Sequence, residues 1–125
     1  MKAIENILIP VSDQKISKAF YLKLGFQVIV EIEMGEGQQW IQLGLGNQYT
    51  TIALLKNWPY SDLVVGSLQG LILETDDIFR DKEELTRKGI IMSDIRETPS
   101  GRIAFIRDPD NNGLTIHQFN YNKQK

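Results

Sequence analysis

Residues 6–25, NILIPVSDQKISKAFYLKLG, decide the fold of this chain. The first apolar side chains of this stretch fall at every second position, at Ile7, Ile9 and Val11. That two-residue period is typical of a strand with one buried face, whereas the apolar spacing after Asp13 is that of a helix. Ser12 or Asp13 can cap the start of the helix, and Gly25 can take the left-handed conformation at its end. The stretch therefore predicts a strand followed directly by a helix.

The same design returns 64 positions further along, where an alternating run at 71–75 leads into Asp77 and a helical pattern that ends at Gly89. The interval from the aspartate to the glycine is twelve positions in both copies. A strand and a helix that recur in the same order and at the same spacing indicate an internal duplication of one supersecondary unit.

Each copy continues with segments that are rich in alternating and β-branched residues, which predict further strands. In the first copy these segments are 26–34, 38–43 and 49–55. In the second copy the predicted strands are 68–74 before the helix, and then 90–97, 102–106 and 114–119. Residues 56–66 contain Pro59 and Gly66 and are predicted to be a linker. The sequence therefore predicts a single α+β domain over 1–125, built from two βαβββ modules at about 1–57 and about 67–121.

Composition and charge exclude several classes of protein. Sixteen acidic residues against fourteen basic ones give a net charge of −2, and no basic block favours a nucleic acid or a membrane as partner. The absence of cysteine excludes a disulfide framework, a thiolate nucleophile and a cysteine metal site. No apolar run is long enough for a membrane span or a signal segment, so a cytoplasmic location is expected.

Strand alternation divides the side chains between two faces of the predicted sheets. The side chains expected under the helices are those of Ile7, Ile9, Leu71 and Leu73. The positions expected on the other side are Asn6, Leu8, Thr51, Ala53, Leu55, Gly70, Ile72, Thr115, His117 and Phe119. If the two sheets curve together, the second set lines a cavity, which is where function is expected.

Four segments resemble the vicinal oxygen chelate superfamily, which contains glyoxalase I, extradiol dioxygenases, fosfomycin-modifying transferases and bleomycin-binding proteins. They are VSD at 11–13, AFYLKLGF at 19–26, the strand and aspartate pair at 71–77, and RDPDNNGLTIHQ at 107–118. The resemblance covers nearly the whole chain. It implies that the paired βαβββ modules form a curved, partly open barrel-like sheet, and that the protein is a homodimer.

In enzymes of the family that this chain resembles, two histidines and two glutamates usually hold a divalent metal. The positions that the resemblance assigns to these ligands are Asn6, Gly70, Ala53 and Thr115. Ala53 and Gly70 have no side-chain donor, and the neutral oxygens of Asn6 and Thr115 are weak ligands for a transition metal. We therefore expect no metal and no other cofactor, which disfavours metal-dependent chemistry of the glyoxalase or dioxygenase type.

Three other features carry both a functional and a structural interpretation. His117, the single histidine, is a candidate general base or ligand-orienting donor, or else a structural histidine bonded to backbone. Trp40 and Trp58, with Tyr60, form either an aromatic wall for a planar or cationic guest or ordinary packing. Arg102 either meets an anionic group of a ligand or is an exposed strand-end arginine.

The oxygen-bearing residues at 108–113 imitate the start of a calcium loop. The twelfth position of such a loop is a bidentate glutamate, and Phe119 occupies it here. Because aspartate, proline, asparagine and glycine are turn formers, a tight turn is predicted instead.

The preferred interpretation is a metal-free glyoxalase/bleomycin-resistance-like protein that binds a small, partly apolar molecule in the inter-sheet cavity, in resistance or sequestration. The residues predicted to bind the ligand are Asn6, Leu8, Trp40, Ala53, Gly70, Ile72, Arg102, Thr115, His117 and Phe119. The alternative is a lyase or isomerase of the same superfamily that uses an unconventional site, with His117 as the candidate catalytic residue. A third interpretation is an accessory module whose cavity is filled by its own side chains.

Overall fold

The computed structural model describes residues 1–35, 37–60 and 62–120, which form two βαβββ modules. The elements of the first module are β1 (Asn6–Pro10), α1 (Gln14–Lys23), β2 (Gln27–Glu33), β3 (Gln39–Gly44) and β4 (Thr51–Leu55). The elements of the second are β5 (Leu71–Glu74), α2 (Ile78–Arg87), β6 (Arg96–Thr98), β7 (Gly101–Arg107) and β8 (Gly113–Phe119). The predicted α+β class and the duplicated βαβββ order are confirmed. The expected end of the second module at residue 121 lies outside the described residues.

The chain divides into two compact units, each with its own sheet. The first unit holds Met1–Ser67 together with the turn tip Pro109–Asn111. Among the described residues, the second holds Leu68–Asp108 and 112–120. The sheet of the first unit has the order β1-β4-β3-β2, and that of the second has the order β5-β8-β7-β6. In each sheet the opening strand is parallel to the last strand of its module and the other pairs are antiparallel. Each sheet is therefore open, with two edge strands.

In the first unit α1 covers one face of the sheet. Asp13 is the N-cap residue, and its side chain accepts a hydrogen bond from the backbone N–H of Ile16. Gly25 follows the helix with a φ of 108°, a conformation that glycine adopts without the steric cost of a Cβ. Tyr21 is fully buried, and its ring packs edge-on against Phe26 at 5.6 Å between centroids. The apolar side chains buried on this side of the sheet include Ile9, Ile41, Leu43, Ile52 and Leu54.

The second unit repeats this arrangement. The side chain of Asp77 caps α2 by accepting from the backbone N–H of Arg80, and Gly89 follows the helix with a φ of 84°. Ile78 and Leu85 of α2 are buried. The buried side chains of the sheet on this side are Ala104, Ile106, Leu114 and Ile116. The equivalence of the two copies therefore extends from the capping bonds to the cores.

The predicted strand over 90–97 is wrong in extent, because only β6 forms. Ile90 and Met92 are buried, so the apolar pattern there reports packing and not strand pairing. Ser93 is the residue that bonds this segment to β7. Its N–H donates to Phe105 O at 2.9 Å, and its hydroxyl accepts from Phe105 N at 2.8 Å. The serine side chain thus takes one place that a backbone carbonyl would fill in a regular ladder.

The segment at 108–113 is a turn, and a buried asparagine holds it together. Asn112 is fully buried, and its backbone N–H and side-chain amide donate to the two carboxylate oxygens of Asp108 at 2.9 and 2.8 Å. The Asn112 side-chain oxygen accepts from Leu68 N at 2.9 Å, and Gly113 N donates to Leu68 O at 2.8 Å. Residue 68, predicted to open a strand, is therefore bonded to this turn and lies before β5.

Candidate functional site

Each sheet has one face that its helix covers and one that it does not, which we call the first and second open face after their units. On the first open face, the parallel register of β1 and β4 places Asn6 beside Thr51 and Leu8 beside Ala53. Trp40 and Gln42 of β3 join them, because Gln42 is opposite Ala53 in the antiparallel register. Ala53 is fully buried on this face. The structure therefore brings together four predicted binding residues, Asn6, Leu8, Trp40 and Ala53, in the first unit.

A chain of neutral hydrogen bonds crosses the first open face. Trp40 Nε1 donates to Gln42 Oε1 at 3.0 Å, and Gln42 Nε2 donates to Thr51 Oγ1 at 2.9 Å. Asn6 Nδ2 donates to the same Thr51 oxygen at 2.6 Å. The Asn6 Oδ1 atom is buried and has no hydrogen-bond partner within the described part of the chain. The network therefore fixes the orientation of the Trp40 indole at one end and leaves an unpartnered acceptor, Asn6 Oδ1, at the other.

An aromatic cluster and a cavity lie on the same unit. The Trp58 ring contacts Trp40 at 5.6 Å and Tyr60 at 5.5 Å between centroids, both in edge-to-face arrangements. Trp58 also lines a cavity of about 200 Å³ whose other lining residues are Leu8, Pro10, Leu55, Asn57, Leu63 and Val65. The predicted linker is therefore part of the candidate site, since it supplies one wall of this cavity.

The second open face is formed by the four strands of its sheet in regular register. One row is Ile72, Thr115 and Phe105, and the next row is Glu74, His117, Ile103 and Arg96. Ile72 is 64% exposed and Phe105 is 45% exposed, so this row presents apolar surface. Gly70 precedes β5, and a Cβ added to it meets nothing within 4 Å. The predicted residues Ile72, Thr115, His117 and Phe119 thus share the face of one sheet.

Ser100 and Phe119 contact the His117 side chain on this face. Its Nε2 atom shares a hydrogen bond with Ser100 Oγ at 3.1 Å, and its ring packs edge-on against Phe119 at 4.4 Å between centroids. Ser100 lies in the turn between β6 and β7. His117 is therefore held in place by a hydroxyl and an aromatic ring, an arrangement that can accept or donate a proton at the sheet surface.

Arg102 lies on one face of its sheet, whereas the predicted residues Ile72, Thr115, His117 and Phe119 lie on the other, the second open face. Its guanidinium stands over the Phe79 ring of α2 at 5.3 Å from the centroid, and its Nε donates to Glu97 Oε1 at 2.8 Å. Gln118, its partner in the register of β7 and β8, also points to the helix, since Gln118 Oε1 accepts from Ile78 N. The structure therefore places Arg102 on the helix-covered face and away from His117.

The residues at the metal positions of the family do not fit a metal. Ala53 and Gly70 contribute no side-chain donor, and Asn6, whose Nδ2 donates to Thr51, offers only a neutral amide oxygen. Thr115 offers a neutral hydroxyl, which a transition metal accepts poorly as a ligand. Within 1–35, 37–60 and 62–120, no group of three or more histidine, cysteine, aspartate or glutamate side chains is placed to hold a metal ion.

Sequence reasoning missed several residues of the open faces. Gln42 links Trp40 to Thr51, which strand alternation had placed on the cavity side, and Leu63 lines the cavity of the first open face. The period of two was the signal for Gln42, since it follows Trp40 by two positions. The same period places Arg107 on the face of Phe105 and Ile103, whereas no local pattern places a linker side chain such as Leu63 on a sheet.

In the part of the chain that the structure describes, neither helix has the length and apolar character that crossing a membrane requires.

Comparison with known proteins agrees with the fold and adds relatives. The chain is 33% identical over 127 residues to the uncharacterized protein YwkD of Bacillus subtilis (strain 168), with 94% of this chain and 98% of the relative covered. It is 32% identical to TnmS3, an antibiotic binding protein from Streptomyces sp. CB03234, with a TM-score of 0.84 and coverage of 95% of this chain and 97% of that one.

A second solved structure, a glyoxalase/bleomycin resistance protein from Streptomyces sp. CB03234, is 33% identical with a TM-score of 0.76 and covers 90% of this chain and 97% of its own. The model of the Glyoxalase/Bleomycin resistance protein/Dioxygenase superfamily matches residues 3–116. That match spans both βαβββ modules, from before β1 into β8. The chain therefore belongs to the Glyoxalase/Bleomycin resistance protein/Dioxygenase superfamily.

Proposed function

We propose that this protein binds a small, partly apolar molecule on the open faces of its sheets without a metal, in resistance or sequestration. The observation that carries the proposal is the contact of Trp40, Trp58 and Tyr60 beside a cavity lined by Leu8 and Leu63. Similarity to TnmS3, an antibiotic binding protein, supports it.

The chemistry of the first open face favours a flat and uncharged part of the ligand. The residues that line the cavity include no ionisable side chain among those described, and most of them are apolar. Aromatic rings in edge-to-face contact present surfaces against which a planar group packs. Gln42 bonds the Trp40 indole, and Thr51 and Asn6 continue this network of neutral amide and hydroxyl groups along the face.

The size of the cavity limits what it holds. Sites for drug-sized ligands have volumes of about 300–1,000 Å³, and this cavity has about 200 Å³. It therefore accommodates one ring system and not a whole drug-sized molecule. The rest of such a ligand extends over the first open face, where Ile32, the register partner of Trp40, is 53% exposed.

Tryptophan fluorescence tests the proposal directly, because the two tryptophans of the chain are both in the cluster. We expect saturable quenching by the neutral dye N-phenyl-1-naphthylamine or by aromatic antibiotics. Trp58→Ala should weaken binding about tenfold, since loss of about 1–1.5 kcal/mol of ring packing corresponds to that factor. Trp58→Phe should retain most of the affinity.

Tyr49→Ala is the matched control, because Tyr49 is an aromatic residue with 59% of its surface exposed. It should leave the affinity unchanged. Absence of quenching and of any thermal shift with all of these compounds would argue for an accessory module that binds no small molecule.

The second candidate function is a lyase or isomerase activity, and the hydrogen bond between Ser100 and His117 favours it. In this alternative His117 moves a proton on a bound substrate, as a general acid or base does. Loss of turnover in His117→Gln, with binding of the neutral dye retained, would support it. Unchanged turnover in that variant would assign His117 a structural role.

We also propose that the protein is a homodimer and that it is cytoplasmic. The family resemblance is the basis for proposing the homodimer. Light scattering of the full chain at several concentrations tests the assembly, and a mass of about 14 kDa, that of one chain, would contradict it.

A further inference from the structure

We propose that Ile29 sets the length of the molecule that the first open face accepts. This inference rests on the proposed function, because it takes that face as the place where the ligand binds. It adds the class of the ligand, an elongated, planar and uncharged molecule, and it names a residue that determines specificity.

A β-bulge in β2 decides which side chains of that strand reach the first open face. The register of β2 against β3 shifts between Val28 and Val30, so Ile29 is an extra residue in the strand. Val28 pairs with Leu43, which is buried on the helix-covered face, whereas Val30 pairs with Gln42 on the open face. Without the bulge, residues 28 and 30 would share one face. The bulge therefore turns the apolar residues that follow it onto the first open face, a role that bulges have beside active sites.

The Ile29 side chain lies across β3 at the position of Gly44. Gly44 follows Trp40 and Gln42 by steps of two, so it belongs to the first open face. A Cβ added to Gly44 would meet Ile29 Cγ1 at 3.1 Å, Ile29 Cδ1 at 3.2 Å and Thr51 Cγ2 at 3.5 Å. The glycine therefore leaves the space that Ile29 fills. Because Ile29 is 53% exposed, its outer side forms an apolar barrier across this end of the face.

Ile29 and the aromatic cluster lie at opposite ends of the first open face. Trp40 contacts the ring of Trp58, which lines the cavity. Gly44 is four positions from Trp40 on β3, and four strand residues span about 13 Å. A rigid molecule with one end against Trp58 therefore meets Ile29 after about 13 Å. A longer one would overlap the Ile29 side chain.

The surface between these two ends is neutral. Over this length the register of β1–β4 assigns apolar, amide and hydroxyl residues to the open face and no ionisable residue. The side chains of Gln42 and Thr51 lie along it and are bonded to each other. A charged group bound here would lose hydration without gaining a partner of opposite charge from these strands. The face therefore favours a ligand that is uncharged along its length.

Three rod-shaped molecules of increasing length test the inference on the full chain. They are trans-stilbene, 1,4-diphenylbutadiene and 1,6-diphenylhexatriene, which are planar and uncharged and differ only in the number of double bonds between two phenyl rings. Quenching of tryptophan fluorescence gives the affinity for each. We expect the unmodified protein to bind the hexatriene more weakly than stilbene, although the hexatriene has the larger apolar surface.

Ile29→Ala should strengthen binding of the hexatriene about tenfold, because it removes a steric overlap, and should change binding of stilbene by no more than about twofold. Ile29→Val removes only the Cδ1 methyl group and should give an intermediate gain for the hexatriene. It also tests the inference if the alanine variant fails to fold.

Val28→Ala is the matched control, since Val28 is the neighbouring residue of the same strand, is 43% exposed and lies on the other face. It should change the affinity for none of the three rods. The thermal unfolding midpoint of every variant is measured in parallel, so that a change in folding is distinguished from a change in binding.

Each contrary result has its own meaning. Unchanged affinity of both Ile29 variants for the hexatriene, with stilbene still bound, would overturn the role of Ile29 and leave the proposed function in place. An equal gain for all three rods would also overturn it, because Ile29 would then restrict access to the face and not the length of the ligand. Binding of no rod to the unmodified protein or to any variant would overturn this inference, and with N-phenyl-1-naphthylamine and the antibiotics also negative it would overturn the proposed function as well.

Discussion

The carboxylate of Asp110 accepts two hydrogen bonds from Ser12, one from its backbone N–H at 3.0 Å and one from its hydroxyl, although 98 positions of sequence separate the two residues. Asp110 belongs to the turn tip Pro109–Asn111, which is part of the first unit. Ser12 directly precedes Asp13, the N-cap residue of α1. The bond therefore fastens the turn tip to the start of the first helix.

Asp110→Ala should lower the free energy of unfolding by about 1–2 kcal/mol, because it removes both charge-assisted bonds at a partly exposed site. Ser12→Ala should cost about 1 kcal/mol or less, since the backbone bond remains. Urea unfolding of the two single variants and the double variant measures this. If the two single effects add up fully in the double variant, the residues are not coupled.

Ser17→Ala should leave stability unchanged or raise it slightly. Ser17 is fully buried in α1, and its hydroxyl has no hydrogen-bond partner within the described residues. Removing an unsatisfied buried hydroxyl relieves a desolvation cost, and alanine is the better helix former. A thermal unfolding midpoint that falls by several degrees would show that the hydroxyl does have a partner. Ser17→Val, which adds volume to the same site, should destabilise the protein.

Gly101→Ala should destabilise the protein severely. Gly101 has a φ of 146°, and a Cβ there would lie 2.0 Å from the backbone oxygen of Gln118 on the neighbouring strand. Both strands would have to separate, which costs about 3 kcal/mol or more. Gly70→Ala is the control, because a Cβ at Gly70 meets nothing within 4 Å and its φ is not positive. Similar unfolding midpoints for the two variants would contradict this prediction.

Removal of divalent metals should not change ligand binding. The family positions Asn6, Ala53, Gly70 and Thr115 supply no imidazole or carboxylate, which are the ligands that such metals prefer. Elemental analysis after loading with nickel, zinc or manganese and extensive dialysis should find far less than one metal per chain. A chelator should leave the affinity for N-phenyl-1-naphthylamine unaltered. Retention of one metal per chain would give the enzymatic alternative first place.

The duplicated fold was predictable because its signals are local and occur twice. Asp13 and Asp77 cap their helices, and Gly25 and Gly89 end them with positive φ. The strand over 90–97 was not predictable in its extent. Its apolar residues are buried by packing, and the register that would make a full strand is replaced by the bonds of Ser93.

The candidate site was predictable only in part. The two-residue period of a strand was enough to assign Asn6, Leu8, Thr115 and His117 to the open faces, because the face of a side chain depends only on the pleat of its strand. Arg102 was assigned to the binding set, whereas its guanidinium stacks on the Phe79 ring of α2. Contacts of this kind depend on tertiary packing, which no strand period encodes.

The turn at 108–113 also affects the rate of a chemical modification, the deamidation of Asn112. Asn112 and Gly113 form the dipeptide most prone to spontaneous deamidation, in which the glycine nitrogen attacks the asparagine side-chain carbonyl. Here that nitrogen is bonded to Leu68 O, and the amide is clamped by Asp108 in a fully buried position. The native fold thus protects this dipeptide from deamidation, so deamidated Asn112 should accumulate only in molecules in which the turn has opened.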